Sequence, residues 1–257
     1  MTDSQRIRLL STSLIIGFFL MWELLCIILN VSDLVLPRPS EILVTMWTRF
    51  PVLWPHILQT LYSTLFGFSL GVMIGVTLGV IVGTSKIAYA VAYPLLVGFS
   101  SIPKVAVVPI FVLWFGSGTT PAVLTAMVIC VFPIVVNIAT GLATTEPELE
   151  DVLKTLGASK TEILWNVGLP RAMPYFFASL KVAITLSFVG AVLSETVASN
   201  MGIGNVMMTA SSNFQVSLVF AGLIILALMG VALYAVFSML ERRVTGWATR
   251  GNDIAIT

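Results

Sequence analysis

Six long apolar runs, separated by more polar stretches, fill most of this chain, near 9–31, 57–84, 87–116, 119–143, 172–197 and 215–240. Each reaches or exceeds the roughly 20 residues that an α-helix needs to cross a hydrocarbon layer. Backbone groups in lipid find no water to bond, so the runs are predicted to be helices and the chain to be all-α. The third run is overlong and holds Pro94, Pro103 and Pro109, which predicts a span that is kinked, tilted or broken. The run near 9–31 follows Arg6 and Arg8 but ends without a small-residue cleavage site, so it is expected to be a retained helix rather than a signal peptide.

Composition agrees with the pattern. Of 257 residues, 58% are hydrophobic and 10% are charged, with a mean hydropathy of +1.02. Soluble domains carry about 25% charged residues, so the surrounding solvent is lipid. A net charge of +1 gives no reason to expect a nucleic-acid partner. Cys26 and Cys130 both lie in apolar runs and read as small buried hydrophobes, although the sequence also permits a disulfide.

Charge placement orients the spans. Arg6 and Arg8, Lys86, Lys154, Lys160, Arg171, Arg242, Arg243 and Arg250 fall on one side, whereas the other side offers only Arg38 and Arg49. Positive residues concentrate in cytoplasmic loops, which predicts that both termini and the 144–171 loop are cytoplasmic.

The second run carries Gly67, Gly71, Gly75, Gly79 and Gly83, one every four residues. Such a stripe lets another helix approach closely in lipid. Static close packing and a sliding surface between moving helices are both compatible with it.

The one long polar segment predicted to be cytoplasmic, Thr144–Arg171, holds five acidic residues, Glu146, Glu148, Glu150, Asp151 and Glu162. Thr145 or Glu146 can cap a helix that has Pro147, Glu148 and Glu150 in its first turn. Leu149, Val152, Leu153 and Leu156 make an apolar stripe at helical spacing. Gly157 is placed to end that helix in a left-handed turn. Ser159 with Glu162 forms a capping box that opens a second short helix, which Leu169-Pro170 is expected to end. An apolar stripe outside the lipid calls for a protein partner or an interfacial resting place.

This segment resembles the EAA loop of ABC importer permeases, with Asp151, Val152, Leu153 and Gly157 in the motif and Leu169-Pro170 downstream. Asp stands where that motif usually has Glu, and Leu153 where it usually has alanine. The stretches Ser101–Pro109 with Leu113–Gly116, Leu36–Pro39, Ser194–Thr196 and Met201–Gly204 resemble the nitrate/sulfonate/taurine-type permeases, over roughly residues 35–250.

The resemblance implies a single transmembrane permease domain over 1–257 with the type I ABC importer permease fold and about six transmembrane helices, in a bacterial inner membrane. It implies a homodimer with two ABC ATPase subunits and an extracytoplasmic substrate-binding protein. The ATPase-coupling residues would be Glu148, Glu150, Asp151, Lys154, Leu156, Gly157, Ala158, Leu169 and Pro170. No G-x-x-x-x-G-K-[ST] occurs, so ATP and Mg are expected on the partner ATPase, with no cofactor, metal or catalytic residue in this chain. The cargo would be a small polar or anionic solute, such as a sulfonate, nitrate, an aromatic acid or a vitamin precursor.

Ionisable groups within a bilayer are functional candidates, and Glu23, Lys104 and Glu195 stand out. Ser100, Ser101, Pro103 and Lys104 combine polar groups with a helix break, as transport sites do. With Ser194 and Glu195 they are the candidates for the translocation path, Lys104 lying near an anion's route and balanced by Glu195. The plainer readings pair Lys104 with Glu195 or Glu23 to hold helices together, or let Lys104 snorkel to an interface. The polar stretch Ser199–Asn213 is expected to be an external loop, either plain or dipping toward the pathway. His56, the sole histidine, is placed in an external loop near Pro55. A secondary transporter or channel independent of ATP is the alternative, and catalysis finds no support.

Overall fold

The computed structural model describes residues 3–143, 152–153 and 155–249, and these are helical apart from short turns. In chain order the helices are α1 (Asp3–Ile28), α2 (Pro39–Thr48), α3 (Phe50–Gly83), α4 (Lys86–Ser101), a short 3-10 turn at Lys104–Val107, α5 (Val108–Phe115) and α6 (Thr119–Ala143). They continue with α7 (Lys160–Ile163), a π turn (Leu164–Gly168), α8 (Leu169–Ala198), α9 (Ile203–Ser212) and α10 (Val216–Thr249). Five helices are long and apolar enough to cross a membrane, or six if the bent α4–α5 pair forms one span.

The core is the triplet α3, α6 and α8. On α3 the buried face consists mostly of glycine, serine and threonine, with Thr60, Ser63, Thr64 and all five glycines of the stripe. The partner face on α6 supplies Ala126, Cys130, Ile134 and Ile138. Small residues on one helix and aliphatic ones on the other let the two axes lie close. Lipid then has no reason to enter between them. Cys26 and Cys130 are both buried and free. By contrast α1 is only 6% buried over its apolar window. It is held where Trp22 meets Phe220 of α10 edge-on at 5.8 Å and where Glu23 accepts Ser40 N–H at 3.0 Å and Ser40 Oγ–H at 2.7 Å.

The third span is broken. α4 ends at Ser101 and the chain turns by 78° into the second half. Pro103 has no N–H and pushes the residue before it out of helical geometry, and Ile102 is extended at φ −68°, ψ 126°. Pro94 is absorbed inside α4, and Pro109 sits in the first turn of α5, where its missing N–H leaves no bond unmade.

Three expectations need correction. His56 is not in a loop, because α3 starts at Phe50 and carries Pro51 and Pro55 in its opening turns. Leu169-Pro170 ends no helix, because the chain runs from Lys160 through the π turn into α8. There Leu169 N–H donates to Leu164 O, and this wider turn carries the helix past Pro170. Ser199–Asn213 is not a loop, because Gly202 at φ +105° starts the ten-residue α9, which ends at Ser212.

Candidate functional site

The residues singled out from the sequence gather at the two ends of α8 and at the break in the third span. At the first end, Glu148, Glu150, Asp151 and Lys154 lie outside the described residues. Around them, Leu156 N–H donates to Val152 O at 3.1 Å and Ala158 N–H to Leu153 O at 3.0 Å. The second bond and Gly157 at φ +86° form a Schellman turn, in which the left-handed residue satisfies the last carbonyls of a helix. Two residues later Ser159 N–H and Oγ–H both donate to Glu162 Oε2 at 2.7 Å, while Glu162 N–H returns to Ser159 Oγ at 3.3 Å. One helix is thus closed and the next opened within a few residues, which fixes the angle between them. Leu156 is 77% exposed, so this turn presents an apolar side chain that no described residue covers. Leu169 and Pro170 stand apart from it. They line an apolar groove of about 610 Å³ with Val76, Ile138, Trp165 and Phe176.

At the break, Lys104 Nζ donates to Ser100 O at 2.9 Å and lies 5.9 Å from the centroid of the Phe132 ring. The ammonium therefore satisfies a carbonyl that the end of α4 leaves free, and it gains from the ring's negative face. The hydroxyls of Ser100 and Ser101 both turn back to Val97 O, at 2.7 and 3.1 Å.

At the far end of α8, Glu195 is 1% exposed. Its Oε2 accepts Thr60 Oγ–H at 2.7 Å and Gly204 N–H at 3.2 Å. Its Oε1 and the Oγ of Ser194 are buried without a hydrogen-bond partner. Thr60 Oγ1 in turn accepts Ile203 N–H at 2.9 Å, and His56 Nδ1 accepts Gly202 N–H at 3.1 Å. The structure thus does not bring Lys104 to Glu195 or to Glu23. Each has other partners.

The glycine stripe faces α6 along its length. A Cβ would come within 2.6 Å of Ala126 Cβ at Gly67, 2.8 Å of Ile134 at Gly75, 2.8 Å of Ile138 at Gly79 and 2.9 Å of Ala139 at Gly83, and at Gly71 it would run into Cys130 Sγ.

Two sets of polar residues escape the sequence reasoning. Thr60 lies four residues after His56 on one face of α3, a spacing visible in the sequence. Lys181 lies inside the fifth apolar run and pairs with Glu241 of α10 at 2.6 Å, and its charge is the signal that could have found it. Among the described residues no group of three or more His, Cys, Asp or Glu is placed to hold a metal ion.

Residues 71–246 match the family model of the binding-protein-dependent transport system inner membrane component. A probable ABC transporter permease protein of Haemophilus influenzae is 33% identical over 89% of this chain and 94% of its own length. The riboflavin transport system permease protein RibX of Chloroflexus aurantiacus is 36% identical over 83% of this chain and 80% of its own. Taurine, aliphatic-sulfonate and nitrate permeases are further relatives. The fold matches a chain of the inward-facing MetNI methionine ABC transporter with a TM-score of 0.61 at 20% identity, covering 78% of this chain and 97% of that one. These relatives are transport subunits rather than enzymes. With its all-helical fold of the type I importer permease kind, the chain belongs to the binding-protein-dependent transport system inner membrane components, the permease subunits of ABC importers.

Proposed function

We propose that two copies of this chain form the translocation pathway of an importer, with two ABC ATPases on the cytoplasmic side and a binding protein on the other. The observation that carries the reading is the continuity of helix from Lys160, beside the Gly157–Ser159 turn, to Ala198, past Glu195. At 1.5 Å per residue this rod is on the order of 55–60 Å long, enough to cross the bilayer with some tilt. A push delivered by an ATPase to the exposed Leu156 turn would therefore be carried to the opposite end of the bundle. Val152, Leu156 and Gly157, with Glu148, Glu150, Asp151 and Lys154, make the docking element. ATP and Mg belong to the partner subunit. Both termini are cytoplasmic in this reading, as the Lys and Arg distribution supports.

The cargo is a small polar or anionic solute of the sulfonate, nitrate, aromatic-acid or vitamin-precursor classes. A planar heteroaromatic compound is favoured. RibX, 36% identical, is named for riboflavin, and Lys104 beside Phe132 offers a cation next to an aromatic face.

Cross-linking tests the docking arrangement. Leu156→Cys, in a background without Cys26 and Cys130, is expected to be joined to the ATPase subunit by a short maleimide–succinimidyl ester reagent, which links the thiol to a lysine amine, when the complex is purified. An ATPase that neither co-purifies nor cross-links would contradict the proposal.

A further inference from the structure

The turn that opens α9 is held in an unusual way. Its three consecutive amides, of Gly202, Ile203 and Gly204, do not end on their own chain segment. They donate to His56 Nδ1, Thr60 Oγ1 and Glu195 Oε2, side chains of α3 and α8. Thr60 also donates to Glu195, which links two of the three acceptors. The glycines make the approach possible. A Cβ on Gly202 would clash with the Glu195 carboxyl group, and one on Gly204 would come within 2.6 Å of Val192 O and 2.8 Å of Glu195 Cβ. Below this turn Ile203 and Ala210 are buried on one side of α9, while Met208, Thr209, Ser211 and Ser212 face outward. The helix is short, packs through Ile203 and Met207 against Leu53 of α3 and Ile225 of α10, and is fixed at its beginning by three side chains.

We infer that His56, Thr60 and Glu195 are positioning residues that lock α9 onto α3 and α8, and that His56 makes the lock proton-sensitive. An imidazole accepts at Nδ1 only while that nitrogen is unprotonated, and an imidazolium carries N–H on both nitrogens. Protonation therefore replaces the Gly202 N–H···Nδ1 bond with two opposed donors. The lock is closed while Nδ1 is free to accept and loosened once that nitrogen takes up a proton.

Few other charges interfere. From α8 the group facing this network is Glu195. α9 and its flanking residues 199–213 carry no charged residue, and neither does α6. Cys130 of α6 lies against Gly71, deeper in the span. On α2 Glu41 pairs with Arg38 at 3.9 Å, Arg49 precedes the first residue of α3, and α4 has its only charge, Lys86, at its first residue. In α10 the first charged residue is Glu241.

This inference rests on the importer reading for its place in transport, but its test needs neither ATP nor cargo. Ala210→Cys, without Cys26 and Cys130, would be labelled with a hydrophilic maleimide in nanodiscs, where both faces are open. Labelling of the thiol introduced at position 210 is expected to rise about three- to tenfold relative to His56→Asn on acidification from about pH 8 to about pH 5, the equivalent of one neutral hydrogen bond. His56→Asn keeps an acceptor oxygen that does not titrate, so it corrects both for the response of Glu195 and for the reactivity of the thiol itself. His56→Ala should label fast at both pH values. Thr60→Val, which removes a second contact without touching the histidine, should be fast at both pH values too. Parallel pH profiles for the parent and His56→Asn would overturn the proposal. So would slow labelling in both His56→Ala and Thr60→Val. Failure of ATP-driven uptake would instead remove the importer reading and leave this result standing.

Discussion

Gly67 lies against Ala126 so closely that a Cβ on the glycine would come within 2.6 Å of the alanine's Cβ and of Val123 O. One of those atoms is backbone, so no rotamer change relieves the clash and the α3 and α6 axes have to move apart. Gly67→Ala is expected to destabilise the protein by about 1–3 kcal/mol, as overpacking of a tight interior does. Gly98→Ala is the control. Nothing lies within 4 Å of its Cβ, and alanine favours a helix by about 0.5–1 kcal/mol. Thermal unfolding in one detergent should therefore shift the two variants in opposite directions. Equal shifts would show that the stripe does not set the helix spacing.

The Lys181–Glu241 pair, at 2.6 Å with each side chain about one-fifth exposed, joins α8 to α10. Removing either partner leaves a half-buried charge alone. Lys181→Met or Glu241→Gln is expected to lose about 2 kcal/mol, between the values for exposed and fully buried pairs. The exchanged pair Lys181→Glu with Glu241→Lys should recover most of that loss. A double-mutant cycle with no coupling energy would show that the pair is incidental.

Gly157 sits at φ +86° with no atom near its missing Cβ, so the requirement for glycine there is one of backbone conformation, not of space. Gly157→Val is expected to destabilise the turn by roughly 1–2 kcal/mol, the penalty of left-handed backbone for residues with a side chain. In the complex it should leave ATP hydrolysis running while uptake stops. Full uptake by this variant would remove the turn from the coupling path.

Lys104 carries a sharper question. Its bond to Ser100 O gives it a capping role, which a merely structural residue could also fill. Lys104→Met is expected to abolish uptake with little change in melting temperature, and Lys104→Arg to retain part of the uptake. Unchanged uptake with lowered stability would assign Lys104 to helix capping alone.

The apolar runs mark out the membrane helices because hydrophobicity over about 20 residues leaves few alternatives. The proline cluster around Pro103 likewise announces the broken third span. The Gly157 turn and the Ser159–Glu162 capping box are legible because local hydrogen bonding decides both. Residues that depend on distant partners are less readable. Glu195 stands out as an ionisable residue, but its partners on α3 and at the α9 turn lie far away in sequence. The sequence offers Glu195 or Glu23 as a counter-charge for Lys104, yet all three find other partners. Ser199–Asn213 reads as a loop because it is polar and glycine-rich. The helix it forms depends on Gly202 adopting positive φ and on acceptors that α3 and α8 bring to its first turn.

Transport itself is the decisive measurement: uptake in proteoliposomes holding this chain, its ATPase and its binding protein, using labelled riboflavin-like heteroaromatics, sulfonates and nitrate with and without internal ATP. Accumulation of one such compound is predicted only with ATP, and is predicted to be lost in Gly157→Val. Accumulation that proceeds equally without ATP would contradict the importer reading and would make the chain a transporter driven by another source of energy.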